Sequence, residues 1–203
     1  MNDVRFNKTL ITINALIPLI FAVFDFVSGK AGTNPIEFLI RTTGVLCLLF
    51  LLITLAVTPL KKIFAWNSLI KYRRRLGLIA FFYGALHLLI YFVFHKNSYI
   101  VDVLKDVIQR PFILLGMIAF LLMIPLAVTS TNAMIKRLGK RWVSLHKLTY
   151  LIAILGVLHF YMLVKSDIFY PAIFGLILAI LLGYRIYVSN KKSNLQSLKV
   201  DKI

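Results

Sequence analysis

Residues 76–94 read LGLIAFFYGALHLLIYFVF, nineteen residues without a charged side chain, with Arg73, Arg74 and Arg75 just before them and Lys96 just after. A helix needs roughly 20 apolar residues to cross about 30 Å of hydrocarbon, and this run is that long and closed by cations at both ends. Five more runs of the same kind follow from the same criterion: about 9–27, 42–60, 111–132, 148–164 and 168–186. In lipid every backbone donor and acceptor must be satisfied within its own segment, so these runs are helices rather than open strands. The composition agrees. The chain is 60% hydrophobic with a mean hydropathy of +0.87, against about 45–50% apolar residues in a soluble domain. The sequence predicts an all-α integral membrane protein, a six-transmembrane-helix bundle forming a single membrane domain over 1–203, with a basic, frayed cytoplasmic tail over 189–203.

The net charge of +17 is unevenly distributed. With the termini and the second and fourth connections placed on one side, that side holds eighteen Lys and Arg, including Arg5, Lys8, Lys61, Lys62, Arg73–Arg75, Lys136, Arg137, Lys140 and Arg141. The other side holds six: Lys30, Arg41, Lys96, Lys105, Arg110 and Lys165. This positive-inside bias places both termini in the cytoplasm, and the multi-pass chain in the cell inner membrane. Five of the seven acidic residues fall on the outer side, so the basic excess is an orientation and lipid-headgroup signal and not a nucleic-acid surface. The first run is long for a signal-peptide core and no cleavage site follows it, so it is read as a helix. Cys47 is the single cysteine, inside the second run, and can form no intrachain disulfide. Pro111 suits a helix start; Pro59 and Pro171 lie near helix ends, and Pro18 and Pro125 mid-span. Trp66, Tyr72 and Trp142 fall at the cytoplasmic interface. No internal repeat stands out.

Three histidines lie in or at the mouth of the apolar runs, where an imidazole needs a partner and intramembrane ionisable groups read as functional. At 1.5 Å per residue His87 lies roughly 17 Å along the third helix and His159 roughly 25 Å along the fifth, a similar depth in the outer half, while His146 is only about 6 Å in from the cytoplasm. Two imidazoles at one level on two helices are the arrangement that clamps a metal or heme iron. Gly84 and Gly156 each stand three residues before one of these histidines, and Gly77 continues the stripe; they make room for a flat macrocycle or simply allow close helix packing. Arg73, fourteen residues before His87, faces the inner level, as a propionate partner or as part of a headgroup-binding cluster. His146 and His159 are thirteen residues apart, about 220° on an ideal helix, so they share no face; a bent or irregular fifth helix, or cofactors approached from different sides, would be required. His95 reads as an interfacial side chain. There is no zinc spacing, no phosphate-cradling Gly-rich loop and no nucleophilic triad. No carboxylate sits at the centre of a span, which disfavours an ion-driven transporter.

The stretches TPLKK (58–62), YRRRLGL (72–78), ALHLLIY (85–91), RPFILLG (110–116) and TSTNAMIKRLGKRWVSLHKLTYLIAILGVLHF (129–160) resemble the MsrQ/YedZ family, heme-binding membrane subunits of the bacterial periplasmic methionine sulfoxide reductase system, within the ferric reductase-like transmembrane superfamily. The resemblance covers about 38–187. It implies a ferric reductase-like core holding one or two b-type hemes, with His87, His146 and His159 as metal ligands. It also implies FMN as a further cofactor, which would make the chain a flavoprotein. Electrons would pass from a quinol or a cytosolic flavin reductase to a periplasmic molybdopterin-containing methionine sulfoxide reductase catalytic subunit, for repair of oxidised envelope proteins. Superfamily members with two hemes carry paired histidines at both levels, and this chain has no histidine opposite His146. The chain is then an electron-transfer subunit and no enzyme on its own. The rival readings are a transporter or channel with a polar, His-lined midplane site, and a structural scaffold.

Overall fold

The computed structural model describes residues 2–96, 98–164 and 167–200. Lys165 and Lys202, counted above in the charge bias, lie outside them, and the side chains of His95 and of 192–200 are likewise not described. Among the described residues every regular element is helical: α1 (Asn2–Val27), α2 (Pro35–Ile63), α3 (Arg73–Ile90), α4 (Ile100–Gln109), α5 (Pro111–Val128), α6 (Asn132–Leu138), α7 (Lys140–Leu145), α8 (Leu148–Leu163) and α9 (Phe169–Val200). A 3-10 turn (Asn67–Lys71) precedes α3, and a π-helical turn (Tyr91–His95) extends it. Six segments are long and apolar enough to cross a membrane: Val4–Val27, Pro35–Ile63, Arg73–Phe94, Pro111–Val128, Lys140–Leu163 and Phe169–Lys191. The end of the bundle carrying Arg73–Arg75 and Lys136–Arg141 is called the basic end below, and the other the distal end.

The six runs are all there, with different edges. α2 starts at Pro35 rather than 42, because Asn34 caps it: Asn34 Oδ1 accepts from the Glu37 N–H at 3.2 Å, its Nδ2 donates to Glu37 at 2.9 Å, and Pro35 occupies the first turn. This is an asparagine N-cap braced by Glu37, with proline in the position that loses no hydrogen bond. α5 ends at Val128 rather than 132, since the Thr129 and Ser130 hydroxyls turn back to the carbonyls of Pro125 and Leu126 at 2.6 and 2.7 Å. Pro125 therefore lies in the last turn of α5 and not mid-span. α9 runs on to Val200 where fraying is expected from Ser189, because nothing between Arg185 and Val200 is a glycine or proline that would stop it. The connection 95–110 holds a helix, α4, that hydropathy alone does not reveal.

α2 is the central helix, with half of its membrane window buried. Leu48, Leu51, Leu52 and Leu55 pack with Ala80 of α3, Ala119 and Met123 of α5, Ile152 and Ala153 of α8 and Leu178 of α9. α1 is peripheral and is tied to α3 by the buried Tyr83, whose hydroxyl donates to the Ala15 carbonyl. Pro59 removes the N–H that would bond the Leu55 carbonyl; Arg185 of α9 donates to that carbonyl instead, at 2.9 Å. Within the bilayer a neighbouring helix thus repairs what a proline breaks.

Candidate functional site

α2 pairs with α3, and α5 with α8, as antiparallel helical hairpins, and each hairpin holds one histidine in the same way. On α3, His87 Nδ1 lies 2.8 Å from the Ile40 carbonyl of α2. On α8, His159 Nδ1 lies 2.6 Å from the Phe112 carbonyl of α5. A carbonyl only accepts, so both Nδ1 atoms carry the proton and both Nε2 atoms are left with a lone pair, the tautomer a metal ligand requires. The partners are 47 positions apart in both cases. One turn beyond each carbonyl stands a glycine against the ring: a Cβ on Gly44 would lie 3.0 Å from His87 Nδ1, and one on Gly116 2.8 Å from His159 Nδ1. Gly84 and Gly156 complete the correspondence. A constant offset relates Ile40 to Phe112, Gly44 to Gly116, Gly84 to Gly156 and His87 to His159, so the chain contains a structural repeat that the sequence reading does not find.

The two rings meet edge to face, centroids 6.2 Å apart and planes at 85°. Around them is a cavity of about 990 Å³ that all four of these glycines line, together with Phe120, Phe160 and Phe174. At Gly84 a Cβ would meet Cys47 Sγ at 3.2 Å, and at Gly156 Leu48 at 3.2 Å, so these glycines serve packing and cavity together. Glu37, Arg41, Arg110 and Asp167 line the distal part.

His146 occupies a different place. It ends α7, and a turn at His146–Lys147 separates it from α8. The 220° between His146 and His159 is no conflict, since the two line different cavities. Trp142 stacks on the His146 ring at 3.8 Å and 26°, and its indole N–H donates to the Thr129 carbonyl at 2.9 Å. His146 Nδ1 lies 3.1 Å from the Trp142 carbonyl and its Nε2 3.5 Å from Ser130 Oγ. His146 and Arg73 line one cavity of about 320 Å³ at the basic end, with Arg74, Lys147 and Tyr150 and no acidic residue. Leu51, Met123 and Ile152 line both cavities and form the wall between them. The structure thus brings His87 and His159 together, and His146 and Arg73 together, in two separate places. Sequence reasoning missed Gly44 and Gly116, whose only signal is their equal spacing from the two histidines, and Arg185, which donates to the Tyr150 hydroxyl and lies over its ring at 4.8 Å. No group of three His, Cys, Asp or Glu suited to a metal ion occurs among the described residues, so a bare-metal centre built from protein ligands alone has no support.

Residues 42–157 match the family described as ferric reductase like transmembrane component. Among curated proteins, the protein-methionine-sulfoxide reductase heme-binding subunit MsrQ of Herminiimonas arsenicoxydans is 48% identical over 183 residues, 89% of this chain and 84% of that protein. The proteins of the same description from Ralstonia nicotianae and Rhodospirillum rubrum are 45% identical (85% of this chain, 81% of that protein) and 43% identical (90% and 88%). No solved structure matches this chain significantly.

Proposed function

The chain belongs to the ferric reductase-like transmembrane family, and to its MsrQ branch of heme-binding subunits, and on that premise we propose that it is the heme b-binding, electron-transferring membrane subunit of a methionine sulfoxide reductase system. The observation that carries this reading is the opposed pair His87 and His159, each with Nδ1 held by a backbone carbonyl and their rings 6.2 Å apart in a glycine-lined cavity. A bound heme would supply one-electron chemistry. The residues of this chain do the rest: His87 and His159 would hold the iron through Nε2, the Ile40 and Phe112 carbonyls orient the two rings, and the phenylalanines exclude water. At the basic end His146 and Arg73, in an acid-free cavity, suit a second redox group bearing an anion, such as a heme propionate or the phosphate of FMN.

The positive-inside bias supports a topology with the basic end and both termini in the cytoplasm, and the bacterial relatives support an inner-membrane location. Electrons then enter on the His146 side, from a quinol or a flavin reductase, and leave on the His87/His159 side toward a periplasmic molybdopterin-containing reductase. We assign it electron transfer because its relatives are described as heme-binding subunits of a protein-methionine-sulfoxide reductase.

Purified from heme-replete cells, the protein should show a reducible b-type Soret band that is lost or strongly reduced in His87→Ala and His159→Ala. Pigment counting on His146→Ala and Arg73→Ala then gives the number of hemes. A folded, colourless preparation would overturn the proposal and return the site to the transporter reading.

A further inference from the structure

α4 has three distinct sides. At about 100° per residue, the buried Val103 and Asp106 mark the edge that faces the bundle. Val101, Leu104 and Ile108, all more than half exposed and Ile108 at 83%, form one outer flank, with Ile100 beside them. Asp102, Lys105 and Gln109 form the other, with Lys105 Nζ 3.8 Å from Asp102. The two outer flanks are about 120° apart. At about 15 Å α4 is too short to cross a bilayer. It lies between the π-helical turn that extends α3 and the start of α5, where Val93 and Phe94 of that turn and Leu114 of α5 are exposed. The apolar flank of α4 therefore continues the lipid-facing belt of the two spans it connects. A soluble protein arriving from the aqueous side would meet the polar flank instead.

We propose that α4 is an interfacial helix seated in the phospholipid bilayer, with Val101, Leu104 and Ile108 at the headgroup–acyl boundary of the distal leaflet and Lys105 and Gln109 in water. On its inward edge Asp106 accepts from the Tyr91 hydroxyl, pairs with Lys96 at 2.7 Å and reaches Arg110 at 3.4 Å. Tyr91 and Arg110 both line the distal cavity, so the lipid seat of α4 also steadies that cavity's mouth. The inference stands on the geometry of α4 alone and does not depend on what the cavity binds.

The test uses the full chain in phospholipid nanodiscs, in a Cys47→Ala background, with a fluorophore on Leu104→Cys, Ile108→Cys, Lys105→Cys or Gln109→Cys. Brominated lipids should quench the labels at 104 and 108 several-fold more than those at 105 and 109, and aqueous iodide should do the reverse. Iodide quenching at 104 and 108 equal to that at 105 overturns the proposal. So does protection of 104 and 108 from both quenchers, which would mean that protein covers them. A second measurement needs no substitution: a diazirine-bearing phospholipid photolysed with the unmodified chain should leave adducts on 100–108. Adducts on the outer part of α5 without any on α4 would overturn the proposal independently.

Discussion

His159 rests directly against the backbone of Gly116: a Cβ at that glycine would lie 2.8 Å from Nδ1 and 3.0 Å from Cε1 of the imidazole. The same nitrogen is held by the Phe112 carbonyl at 2.6 Å, so the ring cannot move away without giving up its hydrogen bond. Gly116→Ala should tilt the ring and weaken heme retention by about 10–100-fold, the usual size of a defect in a ligand's supporting contacts. Gly44→Ala, where the corresponding approach to His87 is 3.0 Å, should have the smaller effect. Heme occupancy and the low-spin electron paramagnetic resonance spectrum check this; unchanged spectra in both variants would contradict it.

Trp142 should act on one site only. Its ring lies 3.8 Å from that of His146, while His87 and His159 lie in the other cavity. Trp142→Ala should change the spectral component that His146→Ala removes and leave the His87/His159 component as it is. Trp142→Phe keeps an aromatic face but loses the bond to the Thr129 carbonyl, and should fall between the two. A redox titration with optical detection separates the components.

Arg185 and Pro59 should be energetically coupled through the Leu55 carbonyl. Arg185→Leu leaves that carbonyl without its 2.9 Å donor and should lower thermal stability. Pro59→Ala restores an N–H within α2. In that background the cost of Arg185→Leu should shrink by about 1 kcal/mol, in the range of polar couplings measured inside membrane bundles. A double-mutant cycle on melting temperatures in detergent is the measurement, and strict additivity would argue against the repair.

Asp106 should make the docking of α4 insensitive to pH over most of the accessible range. Burial opposes its charge, but hydrogen bonds from Lys96 and Tyr91 and the nearby Arg110 outweigh that and hold the carboxyl below the ordinary carboxylate range. A carboxyl whose folded pKa is depressed contributes stability at every pH above its unfolded value, and that contribution is lost as pH falls through the folded value. Amide protection of α4 in hydrogen exchange should thus stay level from neutral to weakly acidic pH and fall only below the carboxylate range. Asp106→Asn, which removes the charge that Lys96 and Arg110 pair with, should show weaker protection already at pH 7.

Some of what the structure contains was written in the chain and passed over. The Asn34–Pro35–Glu37 cap is a standard helix start, but counting apolar residues places the second span seven residues late. α4 has a clear amphipathic pattern in Val101, Leu104 and Ile108 against Asp102, Lys105 and Gln109, which a search for membrane-length runs discards because it is only ten residues long. The Gly–x–Leu–His recurrence at 84–87 and 156–159 is the visible trace of the repeat. The turn at His146 has a weaker trace: neither glycine nor proline stands there, and the only mark is that the apolar run begins at 148, just past it.

The sequence by itself determined the six spans and the place of each histidine along its own helix, because hydrophobic length and the rise of a helix are properties of a single segment. Only the tertiary structure decided which histidines meet. Depth along a helix follows from counting residues, but the direction a ring points follows from which neighbour offers a carbonyl and lacks a side chain. Ile40 and Gly44, and Phe112 and Gly116, lie on other helices, and no count along α3 or α8 reaches them.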